Sequence, residues 1–233
     1  MLRYAARPSE LKRLRLRKIY THLYRQLGPQ RWWPARSTFE MIAGAILTQA
    51  TNWHNVEKAI SRPRRQRALQ PQGLLALGRR GLEHAVRPAR YFRQKAVRLR
   101  MFASWYLARY HGQARRLFAK RWRVVRQELL ALHGIGPETA DAILLYAGKQ
   151  PVFVVDAYTQ RIFRRHRLIG SAAGYEDTQR FVMKSLRGGE RVYNEFHALL
   201  VALGKRYCHR RDPDCSRCPL RTFPHRVVEA HVT

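Results

Sequence analysis

Leu132-His-Gly-Ile-Gly-Pro-Glu-Thr-Ala140 is the stretch on which the fold turns. A helix ends near Leu132. Gly134 and Gly136 permit a tight turn because they carry no Cβ, and Pro137 suits the first turn of the next helix. Such a Gly-x-Gly hairpin presents backbone N–H groups beside a helix N-terminus, where partial positive charge can hold a phosphate. Many helical proteins contain a turn of this kind for structural reasons alone, so the flanking sequence has to decide.

Outward from the hairpin the dominant period is helical. Phe39, Ile42, Ala43, Ile46 and Leu47 form one apolar stripe at helical spacing. Leu99, Phe102, Ala103, Tyr106, Leu107 and Tyr110 repeat it. Ala140, Ile143, Leu144 and Ala147 follow, with Gly148 as a stop, and Tyr193, Phe196, Leu200 and Leu203 close on Gly204. Only Pro151 to Val155 reads like a strand, and with no partner it is taken as a buried connector. The expected class is all-α. Pro29 to Pro34 separates an N-terminal basic helix from the first amphipathic one. Arg62 to Arg67 and Arg79-Arg80-Gly81 are expected as exposed loops, and Gly170 to Gly174 and Gly188-Gly189 as breaks.

Composition narrows the function. Lys and Arg number 46 against 15 Asp and Glu, a formal net charge of +31 in 233 residues. A surplus spread along most of the chain points to a polyanion, hence nucleic acid. No run of apolar residues is long enough for a membrane span, and the N-terminus lacks the apolar core of a secretory signal. Cys208, Cys215 and Cys218 lie within eleven residues. An odd, clustered set suits a metal better than a disulfide framework, so a reducing, cytoplasmic compartment is expected.

Asp156 closes the apolar run Val152 to Val155 and opens the next helix. An aspartate there needs no chemistry to explain it, since Asp is a favoured N-cap worth about 1 kcal/mol. The combination says more. Leu132 to Ala140 followed by Val154-Val155-Asp156 resembles the helix-hairpin-helix and aspartate signature of the endonuclease III superfamily of base-excision glycosylases. The lyase lysine of that family falls at Glu138, and the catalytic aspartate 18 residues later, at Asp156. Ile46-Leu-Thr-Gln-Ala-Thr-Asn52 resembles the family's early helix end, whose glutamine, here Gln49, enters the DNA stack. Arg31-Trp-Trp-Pro34, Leu47 to Trp53, Gly134 to Leu144 and Tyr193-Asn-Glu-Phe-His-Ala198 are most similar to the 3-methyladenine DNA glycosylases built on the endonuclease III plan. Pro88 to Arg93 departs from the family pattern, with Ala89 and Arg90 where relatives tend to have a glycine.

The resemblance implies a two-domain helix-hairpin-helix glycosylase fold: a central six-helix domain over residues 36–150, and a discontinuous one from 1–35 plus 151–233. It implies a monomer acting on damaged double-stranded DNA, held by Gly134, Ile135, Gly136, Thr139 and Gln49. Asp156 would stabilise the positive sugar and orient water. Glu138 supplies no amine for a Schiff base, so hydrolysis without strand cleavage is expected. Trp32, Trp33 and Trp53 are candidates for the pocket of a flipped, cationic base, or for the core. Trp105 and Trp122 are assigned to the core. Asp141 either faces DNA or pairs with an arginine, and Glu195 and His197 serve the site or the scaffold.

Cys208-x6-Cys215-x2-Cys218 matches three ligands of the superfamily's [4Fe–4S] loop, while the fourth position holds Pro224. His225 or His209 would complete a cluster or a Zn²⁺ site; otherwise the thiols are free. No nucleotide cofactor is expected. Two rival functions remain: a thymine, uracil or oxidised-base glycosylase of the same fold, and a non-enzymatic DNA-binding protein.

Overall fold

The computed structural model describes residues 8–226. Their regular structure is helical throughout, with no strand: α1 (Pro8–Leu27), α2 (Thr38–Leu47), α3 (Trp53–Arg65), α4 (Pro71–Ala76), α5 (Gly78–Ala85), α6 (Phe92–Tyr110), α7 (Ala114–Phe118), α8 (Trp122–Leu130), α9 (Pro137–Ala142), α10 (Ala157–Arg165), α11 (Tyr175–Ser185) and α12 (Gly189–Arg206). α9 runs on as a π-helical turn, Ile143–Ala147, capped by Gly148. No helix among the described residues is long and apolar enough to cross a membrane. The chain divides into two units, Trp33–Gln150 and a discontinuous one made from the residues up to Trp32 and those from Pro151 onward.

In the continuous unit α2 is buried from Phe39 to Leu47. Its N-terminus is capped by Ser37, whose hydroxyl accepts from Glu40 N at 3.1 Å. The one acid inside that buried run, Glu40, is ion-paired with Arg64 of α3. This pairing explains a departure from the sequence reading. Arg62 to Arg65 is the last turn of α3, not a loop, and Pro63 is buried within it. Arg79-Arg80-Gly81 is likewise helical, inside α5. Arginines suit a solvated helical face as well as a loop. Trp105 and Trp122 are half-exposed, contrary to the core assignment. Trp105 packs on Phe102 and Tyr110, while Arg123 covers the Trp122 ring at 4.5 Å.

α6 buries Leu99, Phe102, Ala103, Tyr106 and Tyr110 as its stripe requires. It also buries Lys95, which is 1% exposed and whose ammonium has no hydrogen-bond partner among the described residues. Burial, with Arg98 and Arg90 nearby, lowers its pKa from 10.5 to about 8. The glycine-poor turn before α6 places Tyr91 at φ 56°, a left-handed conformation that costs a non-glycine residue.

In the discontinuous unit α1 buries Leu16, Ile19 and Leu23. Residues 152–155 form a buried connector without strand pairing. Gln179 Nε2 on α11 donates to Phe153 O at 2.7 Å, and Val155 N donates to the Tyr175 hydroxyl at 3.4 Å. These bonds replace the ladder that a sheet would provide. Gly204 does not end α12, which continues to Arg206. Its missing side chain instead admits the Tyr158 ring of α10, into which any Cβ would run.

Candidate active site

The connector delivers Asp156 to the first position before α10, with extended backbone (φ −107°, ψ −178°). Its Oδ1 accepts from Thr159 N at 2.7 Å, so the capping reading of this residue is correct. Only one oxygen is used in that way. Oδ2 lies 3.6 Å from Nε2 of His197 on α12, and the two side chains are 12% and 8% exposed. Burial lowers the imidazole pKa, partly offset by the Asp156 charge, so His197 is neutral near pH 7. The helix N-terminus and a neutral imidazole thus flank a carboxylate that no Lys or Arg neutralises among the described ion pairs. Sequence reading left His197 undecided. Its signal is a polar residue set in the apolar stripe from Tyr193 to Leu203.

The hairpin forms as its glycines require, with Gly134 at φ 80°. Gly136 precedes α9, and Pro137 fills the first helical position. Ile135 and Thr139 are buried, while Gly136 and Glu138 are exposed. Gln49, 85 residues earlier than Gly134, is brought directly onto this turn. Its Nε2 donates to Gly134 O at 2.9 Å and to Thr139 Oγ1 at 2.8 Å. Its Oε1 accepts from Arg98, whose side chain covers Gly134. Every hairpin residue expected to hold DNA therefore sits with Gln49 in one cluster. Arg98 is an addition that sequence reading missed, since nothing local links it to the turn.

The three tryptophans divide. Trp33 and Trp53 meet edge to face, with centroids 4.9 Å apart, and Trp33 meets Tyr146 at 5.1 Å. They pack against Gly44 of α2, where a Cβ would meet Trp53 at 3.4 Å and Trp33 at 3.5 Å, ordinary contact distances. Both tryptophans are half-buried and Tyr146 is buried. Trp32 belongs to the other unit, where Lys205 lies over its ring at 5.6 Å.

Two further acids are scaffold. Asp141 is fully buried and accepts twice from Arg126, at 2.7 and 3.1 Å, which settles its alternatives in favour of pairing. Glu195 Oε1 accepts from Gln30 N at 2.7 Å.

Cys208, Cys215 and Cys218 line one small cavity together with His166 and His225. Burial raises the Cys218 pKa. Arg165 Nη1 donates to Cys208 Sγ at 3.1 Å and to His209 O at 2.8 Å, and Arg161 Nε donates to Cys208 O at 2.8 Å. His225 Nδ1 is 2.9 Å from Phe223 O. Among the described residues no three Cys, His or acidic side chains are gathered closely enough to hold a metal ion. With proline at the fourth family position, these residues do not fit a four-thiolate cluster.

The chain belongs to the HhH-GPD superfamily of base excision DNA repair proteins, whose pattern it matches over residues 43–187. A protein of Methanocaldococcus jannaschii, provisionally named a DNA repair glycosylase, is 38% identical over 208 residues, covering 88% of this chain and 94% of its own. The H. pylori 3-methyladenine DNA glycosylase bound to 1,N6-ethenoadenine superposes with a TM-score of 0.72 at 26% identity. That match covers 83% of this chain and 97% of the other. A trapped covalent endonuclease III–DNA intermediate gives 0.78 at 19% identity, covering 91% and 94%, a likeness of fold. The all-α fold and the DNA glycosylase superfamily expected from the hairpin are thus those of the molecule.

Proposed function

We propose that this chain is a monofunctional DNA N-glycosylase. In this reading it hydrolyses the bond between deoxyribose and an alkylated purine such as 3-methyladenine, with Asp156 as the catalytic carboxylate. The observation that carries the reading is the division of labour on Asp156: Oδ1 caps α10, and Oδ2 faces a neutral imidazole. Departure of the base leaves positive charge on the sugar. A fixed, uncompensated carboxylate stabilises that charge, and the same oxygen orients the attacking water. An alkylated purine is already cationic, so its leaving needs no proton from the protein.

Glu138 supports hydrolysis over lyase chemistry, because a carboxylate at the lysine position forms no Schiff base. The half-buried rings of Trp33 and Trp53 suit a cationic base, at about 0.5–2 kcal/mol per ring. The H. pylori relative, a 3-methyladenine DNA glycosylase, favours the same substrate class. Gln49 fills the gap in the stack, and the hairpin N–H groups of residues 134–136 with Thr139 hold the backbone. The protein works as a monomer, in the compartment that holds the DNA.

The test is base release from methylated duplex DNA with chromatographic identification of the product, alongside borohydride trapping. Free 3-methyladenine and no trapped adduct are expected. A covalent adduct overturns the monofunctional part. Release only from G·T, G·U or oxidised duplexes moves the substrate to the mismatch or oxidised-base class, and no release from any of them leaves a non-enzymatic DNA-binding protein.

A further inference from the structure

α12 carries one polar side chain through an otherwise apolar stripe and sets it against Asp156. His197 lies edge-on to Phe153, with centroids 6.3 Å apart at 75°, and its neighbour Phe196 is fully buried. The imidazole has little room to turn. Its Nε2 stands 3.6 Å from Oδ2, the oxygen that the helix cap leaves over, while Oδ1 is fixed 2.7 Å from Thr159 N. A separation of 3.6 Å is longer than a hydrogen bond. Contacts of this kind in a ligand-free site commonly tighten once substrate is bound.

We propose that His197 is a positioning residue for Asp156, a buried neutral imidazole that holds Oδ2 in its working orientation without cancelling its charge. The inference rests on the reading of Asp156 as the catalytic carboxylate. The alternatives at this position show why an imidazole suits it. An aliphatic side chain would leave the carboxylate oxygen desolvated against a wall with no dipole. Lys or Arg would hold the oxygen firmly, but would pair with the charge that must face the sugar cation. A neutral imidazole offers a dipole and no net charge. The residues behind it stiffen the arrangement: Tyr193 and Phe196 both pack on Phe153, at 6.0 and 5.8 Å, and Gln179 fixes the Phe153 carbonyl. The connector that ends at Asp156 and the helix that carries His197 thus share one aromatic core.

The experiment compares wild type, His197→Phe, His197→Gln and Asp156→Asn on the lesion duplex that wild type excises. It reads the single-turnover excision rate and the duplex Kd separately, with melting curves to establish folding. His197→Phe is expected to slow excision about 10- to 100-fold with Kd changed less than about twofold, the signature of lost orientation and not of lost binding. His197→Gln, which restores a neutral N–H at similar reach, is expected within about fivefold of wild type. If His197→Phe does not fold, His197→Asn, polar but too short to reach Oδ2, takes its place with the same expectation. Excision at the wild-type rate in the Phe (or Asn) variant overturns the proposal. So does a Gln variant as slow as that variant, or a loss that lies wholly in Kd. An active Asp156→Asn sinks the catalytic reading itself. An inactive Asp156→Asn beside unaffected His197 variants sinks only this inference.

Discussion

A carboxylate at the N-cap gives one oxygen to a backbone N–H and keeps the other, and Asp156 uses both. Asparagine caps a helix about as well as aspartate. Asp156→Asn should therefore remove the charge and spare the fold, with a stability change below about 1 kcal/mol in urea unfolding. A larger loss would mean that the charge holds the scaffold. Lys95 is the opposite case, a charge that the fold tolerates at a cost. Its pKa falls from 10.5 unfolded to about 8 folded, so between those values the unfolded chain holds the proton and the native state does not. Stability is therefore greatest above pH 10.5 and is lost as pH falls through about 8. At pH 7 Lys95→Met should gain about 3 kcal/mol over wild type, and the gain should vanish near pH 10.5. Equal stability at pH 7 would show that the ammonium finds an anionic partner in solution. For the buried pair, Asp141→Ala should cost about 3–5 kcal/mol, since it removes a fully buried carboxylate that accepts twice from Arg126. A loss under about 1 kcal/mol would show that the guanidinium reaches water.

Among the helices, legibility followed the range of the interaction. The stripes of α2, α6 and α12, the hairpin and the cap at Asp156 are local patterns, and each formed where its residues called for it. Arg62 to Arg67 and Arg79-Arg80-Gly81 read as loops because a charge run looks alike on a loop and on a solvated helix face; the pairing of Arg64 with Glu40 sets Arg62 to Arg65 in α3, and Arg79-Arg80-Gly81 lies within α5. The π-turn after Ala142 has no sequence signature. Gly204 reads in the sequence as a helix stop, yet its role is set by Tyr158 on another helix. Gly204→Ala should destabilise the protein by about 1–3 kcal/mol in urea unfolding, the cost of overpacking, and an unchanged midpoint would refute that contact. The candidate site divides in the same way. Asp156, Gln49 and the hairpin were legible, whereas Arg98, Tyr146 and the facing of His197 toward Asp156 emerge only when distant segments pack.

Over the whole molecule a charge of +31 makes DNA binding strongly electrostatic. Affinity for undamaged duplex should fall steeply with salt, by about 10³-fold or more between 50 and 200 mM, as counterions released by each phosphate contact are lost as a driving force. A flat salt profile would mean that the surplus does not face the nucleic acid. The cysteine loop is tied to α10 by Arg161 and Arg165, and its residues do not fit a four-thiolate cluster. Anaerobically purified protein should accordingly lack iron–sulfur absorbance near about 400 nm.

In the proposed mechanism Asp156 performs glycosidic hydrolysis. Single-turnover release of 3-methyladenine from methylated duplex DNA, wild type against Asp156→Asn at equal occupancy, tests it most directly. Release by wild type is expected, with a rate at least about 100-fold lower in the variant and duplex affinity retained. Comparable release by a folded Asp156→Asn protein would contradict it.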